Sequence, residues 1–548
     1  MQQFTDASSC WKVILSDVSK NRDLLSVIEK FARENTTPAK IAFGTSGWRG
    51  ELGADFTFHT VRIVTLAIIE MCKGNDPSVM GALGVSDFRE FQQRGVIVGH
   101  DNRFLGREFA YEVIGLLQEN GIRAWYAGEA PTPEFSSGIE MLNAACSMNL
   151  TPSHNPANYA GFKFNPSDGG PAGPEITRRI EEIANRMMGT SPVPGPAKPA
   201  HIETIDLDHL YIRFLDARKT LDLRRIRDFV NREHCLICID HVHGSTRGCI
   251  TKILGESQNI VSLRTVDDSL FGGVAPEPSE KNMKGVEKVL EASSARFRLG
   301  VFIDPDGDRI RFADGTMQIP MNYFGAMAFH FLHVYKGISG IVATSVGTSS
   351  LVNTIAERLN IAAKETKVGF KHFRPFLLPA SQERAIVAFE ESDGISGYNH
   401  TLEKDALFGL LLGIEMMAVT GKNLSGYLHE IMNEFGYYYP DRSGIAVSPR
   451  LAGEPLIQKL SRIQEKYNKG TVLMSGEIQR RIIDVITIDG TKLVFNDGSW
   501  LMIRPSGTEP KVRFYIEART EEDKKAVFEL AERITREALC ARGRKGNV

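Results

Sequence analysis

The chain has 548 residues, of which 42% are hydrophobic and 24% are charged, and its formal net charge is −2. This composition is typical of a water-soluble protein, and the length exceeds one hydrophobic core, so we expect roughly three to five domains. A nearly neutral chain is not expected to bind nucleic acid or an anionic membrane through its overall charge. Any anion-binding site must therefore come from a local cluster of cations.

The N-terminal segment, Met1 to Cys10, lacks the basic region and the apolar core of a secretory signal. The most apolar helical run, Leu407 to Val419, is short and contains Glu415, which predicts a buried helix rather than a membrane span. The seven cysteines do not indicate a disulfide framework, and their odd number fits a reducing compartment. We therefore expect a cytoplasmic protein.

Three segments share one pattern, in which an apolar strand is followed by a glycine-containing polar turn and an amphipathic helix. The strands are Gly95 to Gly99, Leu236 to Asp240 and Gly340 to Thr344, and the helices are Arg107 to Gln118, Arg247 to Leu254 and Ser350 to Leu359. A second short strand follows, such as Arg123 to Tyr126 or Ile260 to Leu263. The pattern predicts three βαβ units of the α/β class.

The pattern changes near Glu434. Strand-like runs then follow at Asp484 to Ile488, Lys492 to Phe495, Trp500 to Ile503 and Val512 to Ala518, before a helix from about Glu521 to Leu539. Strands first and a helix last predict a smaller α+β domain with a largely antiparallel sheet.

Two stretches indicate where domains separate. Ser191 to Ala200 contains four prolines and has the composition of a linker, and Ala313 to Gly315 follows a short strand. We therefore predict domains at residues 1–195, 201–313, 314–433 and 434–548.

A CxxC pair, Cys235 and Cys238, stands close to His241 and His243. Zinc would need these four side chains to form a tetrahedron, but they lie on one extended run with no second cluster. We favour a buried strand, Cys235 to Asp240, that ends in a polar turn.

The stretch Thr151-Pro152-Ser153-His154-Asn155-Pro156 places a hydroxyl beside an imidazole. Two prolines restrict the backbone and Asn155 favours a turn, so Ser153 is predicted to lie on an exposed, fixed loop. Such a serine can carry a group covalently. No GxSxG pattern surrounds Ser153 or Ser396, so a hydrolase triad is poorly supported.

A second loop, Asp304-Pro305-Asp306-Gly307-Asp308-Arg309, follows an apolar strand from Leu299 to Ile303. Its three carboxylates can converge on a hard cation if the chain curls, which Gly307 permits. An EF-hand is excluded because its sixth position would be Arg309 and its twelfth Gly315. Three acids without a full protein cage suit Mg²⁺.

Near the C-terminus, the run from Arg504 to Arg513 supplies three cations, which are Arg504, Lys511 and Arg513, around the turn Ser506-Gly507-Thr508. Cations, hydroxyls and an accessible backbone can hold a phosphate, so we favour an anion site over an ordinary turn. The chain has no GxxxxGK[ST] nucleotide loop.

Three weaker signals accompany these loops. The acids of Phe389 to Gly394 can hold sugar hydroxyls, although acidic loops are often merely solvated. Gly44 to Gly50 lacks the Rossmann spacing and leaves Arg49 as a free cation on a flexible loop. Lys163 interrupts an apolar strand, where it either snorkels or is functional. A serine, a three-carboxylate loop and a phosphate clamp together favour phosphoryl transfer through a phosphoserine.

These motifs, in this order, resemble the α-D-phosphohexomutase superfamily, which includes phosphoglucomutases, phosphomannomutases and phosphoglucosamine mutases. The motifs FGTSGWRG, TPSHNP, DPDGDR, EESDG and RPSGTEP begin at Phe43, Thr151, Asp304, Glu390 and Arg504. TPSHNP together with DPDGDR is highly specific, and the resemblance covers nearly the whole chain. It implies an α/β fold of three related mixed α/β domains plus a C-terminal α+β domain around a central cleft.

The resemblance also implies roles for individual residues. Ser153 resembles the phosphorylated serine, and the Mg²⁺ ligands would be phosphorylated Ser153, Asp304, Asp306 and Asp308. The positions that neutralise the phosphate or assist proton transfer are matched by Arg49, His154, Lys163 and Arg309. The sugar-binding loop is matched by Glu390 and Ser392, and the clamp for the substrate's phosphate by Arg504, Ser506, Gly507, Thr508 and Arg513.

The activity implied is a Mg²⁺-dependent interconversion of glucose 1-phosphate and glucose 6-phosphate through a sugar bisphosphate. Phe389 replaces the first glycine of the usual sugar loop, Asp393 follows its serine, and the histidine common in mannose-competent members is absent. A phosphomannomutase, a phosphoglucosamine mutase and a phosphopentomutase with the same mechanism stay open, as do a bisphosphate synthase and a non-catalytic sugar-phosphate-binding regulator. The oligomeric state and the general base stay open as well.

Overall fold

The computed structural model describes residues 4–44, 46–190, 195–232, 234–448, 451, 453–506 and 511–540. The chain divides into two compact units. The first consists of Met1–Met321, Phe373–Arg384 and Ser392–Ser425, and the second of Asn322–His372, Ala385–Glu391 and Gly426–Val548.

The first unit begins with a six-stranded mixed sheet and its helices. The helices are α1 (Ala7–Ser16), α2 (Leu25–Glu34), α3 (Phe58–Lys73), α4 (Pro77–Ala82), α5 (Phe88–Arg94), α6 (Gly106–Glu119), α7 (Thr132–Leu142) and α8 (Pro174–Thr190). The strands are β1 (Trp48–Glu51), β2 (Val96–His100), β3 (Ala124–Glu129), β4 (Cys146–Leu150), β5 (Tyr159–Pro166) and β6 (Glu203–Thr204), in the order β1-β5-β4-β2-β3-β6. Strand β2 runs parallel to β3 and β4, while β5 is antiparallel to β4 and β1.

A second sheet of the same unit has the order β11-β10-β9-β7-β8. Its region contains α9 (Leu207–Arg218), α10 (Leu223–Arg232), β7 (Cys235–Asp240), α11 (Cys249–Leu254), β8 (Ile260–Leu263), α12 (Glu280–Glu291), β9 (Phe297–Ile303), β10 (Ile310–Ala313) and β11 (Gln318–Ile319). Strand β7 is parallel to β8 and β9, and it is buried as predicted except at the partly exposed Leu236. Among the described residues, the CxxC pair and the nearby histidines do not gather into a metal-binding group.

The third region begins with α13 (Met321–His330) and ends with α17 (Leu424–Phe435). Between them lie β12 (Ile341–Ser345), α14 (Leu351–Arg358), β13 (Ala363–Thr366), α15 (Arg374–Leu377), β14 (Ala385–Glu390), β15 (Gly394–Gly397) and α16 (Ala406–Thr420). In the second unit, β12 pairs in parallel with β13 and β14. Each of the three predicted strand–helix–strand segments thus forms a parallel pair flanking its helix.

The remainder of the second unit is an antiparallel sheet with two helices. Its elements are β16 (Tyr439–Ala446), α18 (Glu454–Lys466), β17 (Val472–Ser475), β18 (Ile478–Ile486), β19 (Thr491–Phe495), β20 (Trp500–Pro505), β21 (Lys511–Ala518) and α19 (Glu521–Cys540). The order is β16-β21-β20-β19-β18-β17. The antiparallel strands and the terminal helix are confirmed, but β18 begins at Ile478 and ends at Ile486 instead of spanning Asp484 to Ile488, and the helix α18 was not predicted. Residues of α18 and α19 pack with the sheet in one core.

Helix α16 is apolar on all sides, as a helix buried in a core is expected to be, and it is covered through most of its length. Among the described helices, none alone is long and apolar enough to cross a membrane. The bent pair of α16 and α17 passes that test by length and composition, as buried core helices also do.

The predicted linker, Ser191 to Ala200, is described only in part, because Ser191 to Pro194 lie outside the described residues. Gly195 to Ala200 form neither helix nor strand. Ala197 is buried, and its backbone N–H donates to Glu112 of α6 at 2.8 Å. Ala197 is therefore held against α6, whereas Gly195, Pro196, Lys198 and Ala200 are exposed.

Candidate functional site

The chemically informative loops of the first unit follow the carboxyl ends of sheet strands, where α/β proteins usually place their sites. The loop from Thr151 to Pro156 follows β4, and the turn from Asp101 to Arg103 follows the neighbouring parallel strand β2. The loop from Asp304 to Arg309 follows β9 of the second sheet. Tertiary packing brings these three segments together, as the contacts below show.

The serine loop is fixed by one buried arginine that the sequence analysis did not single out. Arg103 donates to the carbonyl oxygens of Ser153 at 2.7 Å, Asn155 at 2.5 Å and Pro156 at 2.7 Å. Its Nε also pairs with Asp101 at 3.2 Å. A guanidinium has enough donors in a fixed plane to bind several carbonyls at once, so Arg103 sets the path of the loop.

Ser153 is buried, so the prediction that it is exposed is wrong. The turn residues around it do shape a loop, but the second sheet's acidic loop covers the hydroxyl: Ser153 Oγ donates to Asp304 at 2.8 Å. Its backbone N–H donates to Thr151 Oγ1 at 2.9 Å, and its φ is +58°. A non-glycine residue in the left-handed region is strained, and such strain is concentrated at functional sites.

The acidic loop curls as predicted. Gly307 has a φ of +67°, and a Cβ there would come within 2.8 Å of Pro131 and Thr246, so only glycine fits. The backbone N–H groups of Asp308 and Arg309 both donate to Asp304 Oδ1 at 3.0 Å. The curl brings one ligand atom from each of the three aspartates within 4.8 Å of the others.

The donor set fits a hard divalent cation. Asp304, Asp306 and Asp308 are all buried, and Asp306 Oδ1 has no hydrogen-bond partner in the part of the chain that the structure describes. Burial and the two neighbouring carboxylates raise the pKa of Asp304 well above its ordinary value. A divalent cation would relieve that repulsion, and oxygen donors alone favour ions such as Mg²⁺.

Two buried lysines balance the carboxylates. Lys163 Nζ contacts Asp306 at 2.6 Å and Asp308 at 2.8 Å, and Lys404 Nζ contacts Asp308 at 3.1 Å. Burial alone would lower the pKa of Lys163, but the two aspartates raise it above its ordinary value. Lys163 therefore does not snorkel to the solvent, and its catalytic role stays a prediction.

His154 and two arginines lie around the serine. His154 Nδ1 is 3.4 Å from Ser153 Oγ, and burial together with Arg309 and Arg49 holds the pKa of His154 well below its ordinary value. Arg309 Nε lies 3.7 Å from Asp308. The imidazole is therefore neutral near pH 7 and is able to accept a proton.

Arg49 does not lie on a flexible loop, so that prediction is wrong. It belongs to β1, which is held in place by antiparallel pairing with β5, and its Nη1 donates to Asn155 at 2.7 Å. Burial, with the charge of Arg309, lowers the pKa of Arg49 to about 10, so the side chain stays cationic at neutral pH.

The sequence analysis also missed Thr132 and Lys404. Thr132 Oγ1 donates to Asp306 at 2.9 Å, and its backbone N–H donates to the carbonyl of the same residue at 2.7 Å. Lys404 stands in the charged run Glu403-Lys404-Asp405 directly before the apolar helix α16. Three charges at the start of a buried helix were a usable signal, whereas nothing local distinguishes Thr132.

A different segment, the candidate sugar loop from Glu390 to Gly394, begins at the end of β14. Glu390 is buried, and its Oε2 has no hydrogen-bond partner among the described residues. Glu391 accepts from the hydroxyl of Ser345, and its carbonyl accepts from Arg442 at 2.7 Å. One acid is therefore held in place while the other keeps an oxygen available for a ligand. Ser392, the next residue, is half-buried.

The candidate phosphate clamp lies at the facing ends of β20 and β21. Arg504 and Arg513 stand opposite each other in register, and Arg504 Nε pairs with Asp489 at 3.0 Å. Like charges directly opposite on neighbouring strands destabilise a sheet, which is typical of a site built for an anion. The backbone N–H of Ser506 donates to the Lys511 carbonyl at 2.8 Å, whereas Gly507 and Thr508 lie outside the described residues.

Within the second unit, Glu391 of the candidate sugar loop lies close to the two arginines of the clamp. Tyr515 is buried, and burial together with Glu391 raises its pKa to about 12, although Arg504 and Arg513 act in the opposite direction. Glu391 and the two arginines therefore all influence the pKa of the Tyr515 phenol, which lies near each of them.

Comparisons with known proteins agree with these motifs. Family models match four consecutive parts of the chain, and they describe phosphoglucomutase/phosphomannomutase alpha/beta/alpha domain I at residues 40–189, domain II at 210–317, domain III at 321–435 and the C-terminal domain at 450–534.

Individual relatives extend over the same length. A phosphoglucomutase/phosphomannomutase of Thermococcus kodakarensis is 27% identical over 503 residues, which are 91% of this chain and 99% of the relative. Phosphoglucomutase 1 of Drosophila melanogaster is 27% identical over 484 residues, with 78% of this chain and 84% of the relative covered. A crystal structure from Thermus thermophilus, assigned as a phosphomannomutase, has a TM-score of 0.72 and 27% identity and covers 91% of this chain and all of that one.

The order of the four models, the full-length relatives and the buried serine–aspartate contact all point the same way. The chain belongs to the α-D-phosphohexomutase superfamily and is a phosphoglucomutase-like isomerase that acts by intramolecular phosphotransfer.

Proposed function

We propose that the protein interconverts glucose 1-phosphate and glucose 6-phosphate, with Ser153 as the phosphoryl carrier and a sugar bisphosphate as the intermediate. The observation that carries the proposal is the contact of Ser153 Oγ with Asp304 at 2.8 Å, inside a buried shell of three carboxylates and two lysines. A serine used only for structure has no need of so many charges, whereas a serine that carries a phosphoryl group does.

The transfer step follows from the groups around the serine. A hydroxyl of the sugar monophosphate attacks phosphorus, a new bond forms between phosphorus and the sugar oxygen, and the bond to Ser153 Oγ breaks. Neutral His154 is suited to take the hydroxyl proton, and because its Nδ1 lies 3.4 Å from Ser153 Oγ it can pass that proton to the serine oxygen as the bond to phosphorus breaks. The bisphosphate then reorients, and its other phosphate returns to Ser153.

The side chains of the shell neutralise the moving charge. Lys163, Arg309 and Arg49 place cations beside the serine and its acidic loop, in a buried environment where electrostatic attraction is strong. Asp304, Asp306 and Asp308 would hold Mg²⁺ together with the phosphoserine, and the ion would withdraw charge from the transferring group. Arg103 acts as a positioning residue through the loop carbonyls.

Recognition of the sugar phosphate is proposed for two further segments, the loop that follows β14 and the candidate clamp. Arg504 and Arg513, with Ser506, Gly507 and Thr508, would hold the phosphate that is not transferred. Glu390 and Ser392 would accept and donate hydrogen bonds to sugar hydroxyls, and the unpartnered Glu390 Oε2, among described residues, supports this assignment. The intermediate must bind in two orientations, and a clamp that contacts only the phosphate can hold it in both.

The proposed preference for glucose depends on the sequence of the sugar loop, Glu390 to Gly394. The relatives include both a phosphoglucomutase and a phosphomannomutase at 27% identity, so overall similarity does not choose between sugars. The loop reads Glu390-Glu391-Ser392-Asp393-Gly394 and lacks the histidine typical of mannose-competent members. We also propose the domain limits 1–195, 201–313, 314–433 and 434–548 and a cytoplasmic location for the enzyme.

A substrate panel tests the proposal. We expect the kcat/KM for glucose 1-phosphate to exceed that for the 1-phosphates of mannose, N-acetylglucosamine and ribose, with Mg²⁺ and a trace of glucose 1,6-bisphosphate present. A larger kcat/KM for mannose or amino-sugar phosphates would overturn the glucose assignment while leaving the mutase class intact. An inert protein that binds sugar phosphates would instead favour the regulator.

A further inference from the structure

A second cluster of metal-binding side chains lies outside the set assigned above. It consists of Glu134 in the first turn of α7, Asp208 in the first turn of α9 and Cys249 at the first residue of α11. One ligand atom of each lies within 4.8 Å of the other two. Three separate elements of the first unit, 115 residues apart from first to last along the chain, thus present two carboxylates and a thiol to one point.

Two oxygens of the cluster lack partners. Glu134 is 1% exposed, yet its Oε1 makes no hydrogen bond to any described residue, and the same holds for Asp208 Oδ1. The other oxygen of Asp208 pairs with Lys252, and the Cys249 thiol donates weakly to the Ser245 carbonyl at 3.7 Å. Burial and the neighbouring Asp208 raise the pKa of Glu134 well above its ordinary value, so without an ion the two acids share a proton, and a bound cation would displace that proton and pair both oxygens.

The cluster is also open to a ligand from solvent. Glu134, Asp208, Cys249 and Lys252 line a surface cleft of about 420 Å³. The first turns of α7 and α9 contribute helix dipoles that favour the anionic forms of the acids. These dipoles do not bond the unpaired oxygens, so they prepare the ligands without replacing a bound cation.

We propose that Glu134, Asp208 and Cys249 bind a transition-metal ion of the zinc class. A thiolate selects Zn²⁺ or Co²⁺ over Mg²⁺, and three protein ligands with a solvent molecule from the cleft complete a tetrahedron. In such a site the ligand atoms are about 3.5 Å apart, so a contraction of roughly 1 Å would close the cluster around the ion. Lys252, which is half exposed, can withdraw into solvent when the ion binds.

The position of the cluster connects a bound ion to the acidic loop from Asp304 to Arg309. Thr132, two residues before Glu134, holds Asp306 through both its backbone and its hydroxyl. Ser245, four residues before Cys249, donates its N–H and its hydroxyl to the Pro305 carbonyl at 2.7 and 2.9 Å. An ion that ties α7 to α11 would therefore brace the catalytic acidic loop from two sides.

The test uses the full-length protein, stripped by chelator and then saturated with Mg²⁺ so that the acidic loop is occupied. Titration with Co²⁺ is expected to give a sulfur-to-cobalt charge-transfer band in the near ultraviolet with about one equivalent bound. The described acidic-loop ligands are all oxygen, so cobalt bound there gives no such band. The absence of a band in the wild-type protein would overturn the proposal.

Matched variants assign the band to this cluster. Cys249→Ser is expected to abolish it, whereas Cys238→Ser, a change at a buried cysteine of β7, should leave it intact. Glu134→Gln keeps the side-chain shape and should weaken Co²⁺ binding at least about tenfold, because loss of a group that only orients a ligand already costs that much. A band that survives Cys249→Ser, or Glu134→Gln binding equal to wild type, would contradict the assignment and favour a proton shared by the two acids.

Discussion

The two units use charge in different ways. In the first unit, Ser153 and the three aspartates are buried and cross-bonded by Arg103, Thr132 and the lysines. In the second unit, Arg504 and Arg513 stand opposite each other on β20 and β21, while the other predicted contacts Gly507 and Thr508 lie outside the described residues. In the proposed function, the groups around Ser153 are therefore fixed by interlocking hydrogen bonds, whereas the proposed recognition of the substrate uses paired arginines at strand ends.

The comparison predicts that changes in the first unit reduce turnover, while changes in the second weaken substrate binding. Preorganised groups act on the transition state, so their loss lowers kcat. A charged clamp acts on bound substrate and transition state alike, so its loss raises KM. The five predictions below separate these outcomes.

The largest effect is expected for Ser153→Ala. Without the hydroxyl there is no carrier for the phosphoryl group, so kcat should fall at least about 10⁴-fold. Thermal unfolding and circular dichroism should stay close to wild type, because the change removes one oxygen from a loop that Arg103 holds through the backbone. Turnover near the wild-type level would disprove the covalent mechanism.

Metal removal comes next. Chelation should lower kcat on the order of 10³-fold, since a bound divalent cation stabilises transition-state charge by several kcal/mol, and added Mg²⁺ should restore it. Asp306→Asn should shift the Mg²⁺ concentration needed for half activity to higher values. Full activity in the presence of chelator would show that the acidic loop works without an ion.

Arg103→Lys tests the positioning of the serine loop. Lysine keeps the charge but cannot bond several carbonyls in one plane, so about 1–3 kcal/mol is lost and kcat should fall roughly 10- to 100-fold. We expect the KM for the sugar phosphate to change little and the melting temperature to decrease. Arg107→Lys, an exposed change on α6, is the control. Equal kinetics in the two variants would remove Arg103 from the account.

Arg513→Ala tests the clamp. Loss of one charge-assisted hydrogen bond costs about 1.5 kcal/mol, so kcat/KM should fall about tenfold, mainly through KM. Arg481→Ala removes an exposed arginine of β18 in the same sheet and should change neither constant. A fall in kcat at unchanged KM would place Arg513 with the transferring phosphate instead.

The smallest effect concerns pH. The folded-state pKa of His154 lies below its ordinary value of about 6.5, so below that pH the unfolded chain binds more protons and the folded state loses stability as pH falls. His154→Gln should therefore lessen the drop in melting temperature between about pH 7.5 and about pH 5.5. His209→Gln, an exposed change on α9, should not. A melting temperature that falls as much in the His154 variant as in the wild type would contradict the predicted direction of this effect.

How far the sequence predicts the structure depends on the range of the interactions. The apolar strands β2, β7 and β12 and the antiparallel sheet were predictable, because their hydrophobic runs and turns are local. The acidic loop was predictable as well, since Gly307 and three alternating carboxylates allow few other uses. The side chains of such a loop offer only oxygen acceptors, and its preference for a hard cation follows from that composition.

The missing parts depend on contacts between distant residues. The exposure of Ser153 was inferred from local turn chemistry, but its burial comes from Asp304, 151 residues further along the chain. The strand β1 has no apolar pattern of its own and exists through its pairing with β5. The function of Arg103 is likewise visible only once the carbonyls about 50 residues away are placed beside it.

The central claim is that Ser153 carries the phosphoryl group. Peptide mass mapping of the purified enzyme, before and after incubation with glucose 1-phosphate or glucose 6-phosphate, tests it most directly. We expect one phosphate on the peptide that contains Ser153, lost on incubation with the sugar monophosphate as glucose 1,6-bisphosphate appears. A catalytically active enzyme that never carries phosphate at Ser153, or whose phosphate does not exchange with the sugar, would contradict the account.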